Sequence, residues 1–239
     1  MECVSTGNDA TADARTFYYA KVTMIDERIG DIVRAVADRH MLDNTWTIYT
    51  SDHGENPGDH RLNQKVVFYE SALKVPCIVR PLAGTDGWQS QALVDYLDLT
   101  ATMLDIAAAE PLPECDGRSQ VARIAAGASA PDAHTGKDVV FSQVAGYSMV
   151  HDGRYKLAVD AKTRKQMEFL DLQQDPQELN NAVNEPATAV VRSELQARYL
   201  DPLLNGMDMG GFEAFEERLT PRVIVWVEGV LSIARWARV

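Results

Sequence analysis

Cysteine is scarce and unpaired in this sequence: three residues, Cys3, Cys77 and Cys115, and no Cys-x-x-Cys. An odd count without close pairs argues against a disulfide framework, and reduced thiols predict a cytoplasmic setting. Positive charge is in deficit. Lys and Arg number 23 against 35 Asp and Glu, a net charge of −12, which argues against broad electrostatic binding of nucleic acid. No unbroken apolar run is long enough to span a bilayer, so a membrane span is not expected. Residues 1–16 are polar and lack the apolar centre of a secretory leader. Internal repeats and low-complexity tracts are missing as well.

What is present suffices for a core. Hydrophobic residues make up 46% of 239 positions, enough for one domain or a large lobe with a small one. From Phe17 to His40, the residues Tyr18, Val22, Ile25, Ile29, Val33 and Val36 recur at helical spacing and predict an amphipathic helix lying on a sheet. Thr45–Thr50 alternates and is rich in β-branched and aromatic residues, which predicts a strand. Val75–Val79 is a short apolar run, predicting a buried parallel strand that contains Cys77 and ends before Pro81. A stripe from Leu93 to Ala107 predicts a second helix. Alternating helices and strands predict a parallel sheet covered by helices. Residues 120–137 are rich in Ala, Gly, Ser and Pro and mark the best boundary. Short strands are predicted at Val139–Gln143, Tyr147–His151, Tyr155–Val159 and Met167–Leu170, with Asp152-Gly153 as a hairpin turn. A helix over 186–203 follows, and an amphipathic helix is expected in the tail 221–239.

The loop after the first strand carries the chemistry. Ser51-Asp52-His53-Gly54-Glu55 is followed by Gly58-Asp59-His60 and Lys65. Asp offers a hard anionic oxygen and His a borderline nitrogen, and Gly54 permits a turn sharp enough to aim both at one ion. In open α/β sheets, ligands bind beyond the carboxyl ends of strands. Lys65 offers a compact positive charge for a phosphate or sulfate oxygen. From residue types alone, the loop is either a metal-ligating turn or a plain polar one.

Several ordered blocks resemble the sulfatase family of the alkaline phosphatase superfamily. They are Ser51–Glu55, Gly58–His60, Lys65, Tyr69-Glu70 and Val75-Pro76, then Leu93–Ala107, Asp116–Ser119, Asp152–Leu157 and Phe169–Leu172 with Asp175–Asn181. The resemblance implies a partial alkaline-phosphatase-like α/β fold, mostly parallel, with a small C-terminal antiparallel sheet plus helix. Composition and the resemblance together divide the chain into a lead-in (1–16), the distal part of the α/β domain (17–130), a C-terminal subdomain (131–205) and a tail without family counterpart (206–239). It further implies that Asp52 and His53 are metal ligands and that Lys65 contacts the transferred anionic group. His60 either joins that contact or braces the loop. The cation expected is Ca²⁺ first, with Mn²⁺ or Zn²⁺ open because His53 softens the site.

The family's Cys-x-Pro-x-Arg or Ser-x-Pro-x-Arg nucleophile motif is not in this sequence, so the resemblance covers the carboxyl-terminal half. The expected activity is hydrolysis of small anionic sulfate esters, with phosphate or phosphonate esters second. The chain alone is expected to be nearly inactive. A rival reading is a non-catalytic binding or assembly module. Expected partners are the ester, a complementing N-terminal half, or a second copy paired along an exposed sheet edge.

Overall fold

A computed structural model describes residues 8–82, 86–207 and the strand 230–233. Helix α1 spans Asn8–Asp38, starting earlier than Phe17, so residues 8–16 are helical rather than a loose lead-in. Strand β1 (Thr47–Thr50), helix α2 (Glu70–Leu73) and strand β2 (Lys74–Arg80) follow. Strand β3 (Val94–Asp95) leads into α3 (Tyr96–Ile106), and α4 (Val121–Ala126) lies inside the Ala-rich stretch. Four strands then form a meander: β4 (Val140–Val144), β5 (Tyr147–His151), β6 (Tyr155–Asp160) and β7 (Gln166–Asp171). A helical segment closes it, α5 (Ala189–Leu195) running through a π turn at Gln196–Leu200 into α6 (Asp201–Gly206). Strand β8 (Val230–Ile233) returns to the first sheet.

The first sheet has the order β1-β2-β8-β3. Its described part is mixed. β2 and β8 are parallel, whereas β1–β2 and β3–β8 are antiparallel. The reason lies in the connection: a parallel pair needs a crossover, most often a helix, and between β1 and β2 lie no more than a 3-10 turn at Asp59–Arg61 and the four-residue α2. The chain therefore doubles back, and this return carries the loop 51–69 across the sheet end. Residues 230–233 correct the expectation of a helix there. A Val-Leu-Ser-Ile run suits a strand equally well, and pairing on both sides with β2 and β3 decides it. The remainder of the tail lies outside the described residues.

The second sheet is the predicted antiparallel one, ordered β4-β5-β6-β7. Ala145 and Gly146, at φ 49° and 81°, make the tight β4–β5 turn. At the next turn the Asp152 carboxylate accepts from the N–H groups of Arg154 (2.9 Å) and Tyr155 (2.7 Å), while Gly153 takes φ 95°. Both faces of this sheet are covered. Val150, Leu157, Val159 and Phe169 pack on Leu195, Leu200 and Leu204 of the helical segment. Val140, Met149 and Ala158 face the other way, onto Phe68 and Leu73 at the end of the loop. A third cluster, Val75, Cys77, Ala92, Val94 and Leu99, joins the first sheet to α3. Cys77 is the buried strand residue expected, and burial pushes its thiol up to about 11.

Helix α1 is different. Phe17, Tyr19, Met24 and Ile32 are each more than half exposed, and Val22 and Ile25 nearly so. Its amphipathic stripe therefore lacks the sheet it was expected to cover among the described residues.

Candidate active site

The loop is anchored at both ends by backbone bonds. The Gly54 and Glu55 N–H groups donate to the Ala72 and Ser71 carbonyls at 2.8 and 3.0 Å. A Cβ on Gly54 would lie 1.9 Å from the Ser71 carbonyl oxygen, so only glycine allows this approach. Asn56, fully buried, donates to the Gln64 carbonyl at 2.6 Å and accepts from the Ser71 hydroxyl. It closes the base of the 56–64 excursion. Helix α1 holds the tip: Arg15 donates to the Pro57 carbonyl (2.8 Å) and pairs with Asp59 (2.9 Å).

Asp52 and His53 converge. His53 Nε2 lies 3.4 Å from Asp52 Oδ2. The His53 backbone N–H donates to Asp52 Oδ1 at 2.9 Å, which fixes the carboxylate. His53 Nδ1 lies 2.7 Å from the Gly54 carbonyl. A carbonyl only accepts, so Nδ1 carries a proton; in the neutral ring Nε2 then presents its lone pair toward the carboxylate. Two electron-rich atoms at that separation suit a shared cation, since metal–oxygen and metal–nitrogen bonds run about 2.0–2.6 Å. Fixing the tautomer through the far nitrogen is also how imidazole ligands are usually held. The residues present thus fit two corners of a metal site. Among the described residues no group of three or more His, Cys, Asp or Glu completes it.

Lys65 sits on the same loop, partly exposed. Its ammonium makes no hydrogen bond or ion pair among the described residues, Asp52 included. His60 is stacked on Tyr69, ring centroids 3.8 Å apart and planes 11° from parallel. It holds φ 53°, with Arg61 at 58° and Gln64 at 89° beside it, a run that side chains other than glycine rarely adopt.

Behind the loop lies a group the sequence did not announce. Lys156 on β6, buried, sits 2.6 Å from Glu70 Oε1 and 2.7 Å from Glu178 Oε1, and donates to the Phe68 carbonyl at 3.1 Å. Glu178 Oε2 in turn accepts from the Glu70 N–H at 2.7 Å. Burial alone would raise the Glu70 carboxyl, but the Lys156 ammonium overrides it and the group sits below its ordinary range. His151, at the end of the predicted strand Tyr147–His151, is only 5% exposed. Burial lowers its pKa, and its Nδ1 lies 3.0 Å from the Tyr155 carbonyl. It lines a cleft of about 280 Å³ with Glu70, Lys74, Ser90 and Gly153. A second cleft, about 560 Å³, is lined by Asp95, Arg118, Lys137 and Tyr199. Neither includes Asp52, His53 or Lys65.

A carboxylate and an imidazole side by side at a strand exit of an α/β scaffold offer two neighbouring cation ligands. Comparison with known proteins is specific. The profile of "N-sulphoglucosamine sulphohydrolase, C-terminal" matches residues 58–203, and the "Sulfatase" profile matches residues 2–109. The chain belongs to the sulfatase family, of which it carries the C-terminal half. Arylsulfatase K of Rattus norvegicus is 32% identical over 182 residues, covering 72% of this chain and 32% of that protein. The choline-sulfatase of Rhizobium meliloti (strain 1021) is 28% identical over 204 residues, covering 84% and 39%. The chain thus spans 32–39% of the length of these two relatives.

Among solved structures, the phosphonate monoester hydrolase of Agrobacterium radiobacter superposes with a TM-score of 0.67 at 24% identity, over 82% of this chain and 42% of that one. A protein solved with its substrate D-glucosamine-2-N,6-O-disulfate gives 0.65 at 22% identity, over 80% and 42%. These likenesses show the fold. Membership of the family implies a divalent metal cation.

Proposed function

We propose that this chain forms the distal part of a metal-dependent sulfuric ester hydrolase, with Asp52 and His53 as two cation ligands and Lys65 and His60 as contacts to the anionic ester. The observation that carries the reading is the 3.4 Å approach of His53 Nε2 to Asp52 Oδ2, with Nδ1 turned away to the Gly54 carbonyl. When bound, a divalent cation would polarise the ester oxygens and stabilise the charge that develops on them. Asp52 and His53 orient that charge at the strand exit. The unpaired Lys65 ammonium meets the outer oxygens of the sulfate, and the His60 ring closes the loop side of the anion. Ca²⁺ is the first choice for the hard carboxylate, with Mn²⁺ and Zn²⁺ admitted by the imidazole. Phosphonate or phosphate esters are a second substrate class, favoured by the likeness to phosphonate monoester hydrolases.

The sequence has no Cys-x-Pro-x-Arg or Ser-x-Pro-x-Arg, so no covalent step is assigned to its own residues. The exposed apolar stripe of α1 is a natural seat for the remainder of such a hydrolase, carried on this polypeptide or another. Calorimetric titration with Ca²⁺, Mn²⁺ and Zn²⁺ tests the reading. At least one should bind, and binding should vanish in Asp52→Ala. Absence of heat with all three, or binding untouched by the substitution, removes the metal site and the function with it.

A further inference from the structure

The turn that carries His60 is held from two sides. On one, the imidazole lies flat on the Tyr69 ring, centroids 3.8 Å apart. On the other stands α1. The Gly58 N–H donates to the Leu62 carbonyl at 2.9 Å, and the Leu62 N–H donates to the Asp59 carbonyl at 2.8 Å, closing the stretch 58–62 with His60 at its centre. Gly58 sits at φ 94°, and a Cβ there would stand 2.2 Å from Thr11 Cγ2, so the backbone of the turn rests directly on the helix. Arg15 then grips both flanks of Gly58. Its Nε donates to the Pro57 carbonyl at 2.8 Å and its Nη2 to Asp59 Oδ1 at 2.9 Å. A planar guanidinium offers these donors in one fixed fork, so it sets direction as well as distance. The next two residues need that restraint. His60 holds φ 53° and ψ 20°, and Arg61 holds φ 58°. Successive left-handed residues other than glycine persist only where their surroundings over-determine them. The bonds of the 58–62 stretch close the turn on itself, and the Arg15 fork ties it to the long helix.

We propose that Arg15 is a positioning residue for His60. Through Pro57 and Asp59 it fixes the backbone that lays the imidazole on Tyr69 and sets it against the anion. The last step rests on the reading of His60 as an anion contact; the backbone step does not. Arg15 acts through the loop rather than on the ester. Its ion pair is nearly half exposed, 43% and 47%, so it adds little to global stability and its effect is local order.

Proton NMR of the His60 ring, assigned by its loss in His60→Gln, reads this on the full chain. Ring protons over the Tyr69 face resonate upfield, and Tyr69→Leu should abolish that displacement. Arg15→Leu should reduce it. Arg15→Lys should reduce it less, because one ammonium meets Asp59 without reproducing the fork to Pro57. Asp59→Leu should reduce it as well, and combining it with Arg15→Leu should change little further, since the pair is already broken. Amide exchange at Leu62 should quicken in Arg15→Leu while exchange in β5 and β6 keeps the parent rate, a split that a role in overall stability does not produce. Unchanged His60 signals in Arg15→Leu overturn the proposal, and so does uniform acceleration of exchange. Titration of the same samples with inorganic sulfate separates the two readings. Where His60 responds to sulfate, Arg15→Leu should weaken binding by about two- to fivefold, the population shift that an exposed ion pair supplies. Equal affinity in parent and variant overturns the proposal. No response in the parent, with the ring and exchange patterns as expected, supports the positioning and refutes the anion contact.

Discussion

Exchange of Lys156 for methionine is expected to lower stability by about 3–5 kcal/mol, the loss typical when one partner of a buried ion pair is removed. Methionine keeps most of the length and apolar stem of lysine, so the buried volume stays filled. What disappears is the cation shared by two carboxylates, Glu70 at 2.6 Å and Glu178 at 2.7 Å. Glu178 is 4% exposed, too deep for water to replace the ammonium. Glu70 has a second, weaker partner in Lys74 at 3.6 Å, whose half-exposed ammonium recovers little. The measurement is urea unfolding, with the midpoint falling and the slope unchanged. A loss below about 1 kcal/mol, the level of a surface pair, would show that the cluster is not desolvated.

The same cluster sets the acid side of the stability profile. The Glu70 carboxyl is depressed in the folded state, so its contribution is complete above its ordinary value of 4.5 and is lost as pH falls through the lower, folded value. Glu168 has the opposite sign. Burial raises its carboxyl first, and the Glu178 charge adds to this, against the Tyr69 hydroxyl and Lys156. Its contribution is present below the unfolded value and fades as pH rises through the raised one. Glu168→Gln should therefore flatten the profile on the neutral side, whereas Lys156→Met should remove the part of the acid slope that comes from Glu70. Unfolding midpoints from pH 3 to 8 read both. Parallel profiles for the parent and both variants would mean that neither carboxyl is coupled to folding.

Much of this fold was legible in the residues. The strands β4 to β7 fall within a residue or two of their predicted spans. Their alternation matches a sheet packed on both faces, and Asp152-Gly153 makes the expected turn. Helix α3 begins at Tyr96 because Asp95 and Asp98 cap each other reciprocally. The Asp52–His53 pair was readable because both residues and the glycine that bends the chain are contiguous. Long-range partners were not readable. The Glu70 N–H meets a carboxylate 108 positions away, and no local period records that. Lys156 sits in a strand that reads as apolar, and its charge is accommodated because α2 and the segment after β7 bring Glu70 and Glu178 to it. The direction of β1 against β2 depended on how much helix the connection holds. The tail segment 230–233 was ambiguous, since four apolar-rich residues suit either a helix or a strand until their neighbours are known. The depth of His151 was not readable either, because a lone histidine at a strand end carries no signal of it.

The other large effect is expected at Asp98. This carboxylate, 1% exposed, accepts from the Asp95 N–H at 3.2 Å and the Arg118 N–H at 2.7 Å, and lies 3.0 Å from the Lys137 ammonium. It binds three segments at once: the start of α3, the Asp116–Ser119 turn and the strand-leading stretch at Lys137. Asp98→Ala leaves two N–H donors unmatched in the interior and weakens the hold on Lys137, a cost of about 3 kcal/mol. Lys137 keeps Asp95 at 2.6 Å, which holds the loss below that expected for Lys156. The turn should loosen first. Gly117 approaches so closely that a Cβ there would stand 2.1 Å from the Leu97 carbonyl oxygen, and the Arg118 N–H bond to Asp98 holds that approach. Amide exchange at Arg118 and Gln120 should therefore quicken more in Asp98→Ala than exchange in β5 and β6. Asp98→Asn separates shape from charge. It keeps one acceptor for Arg118, but turns an amide N–H₂ toward the Asp95 N–H or the Lys137 ammonium, so it should fall between parent and alanine. Uniform acceleration across both sheets in Asp98→Ala would mean that the contact supports the whole fold rather than this corner.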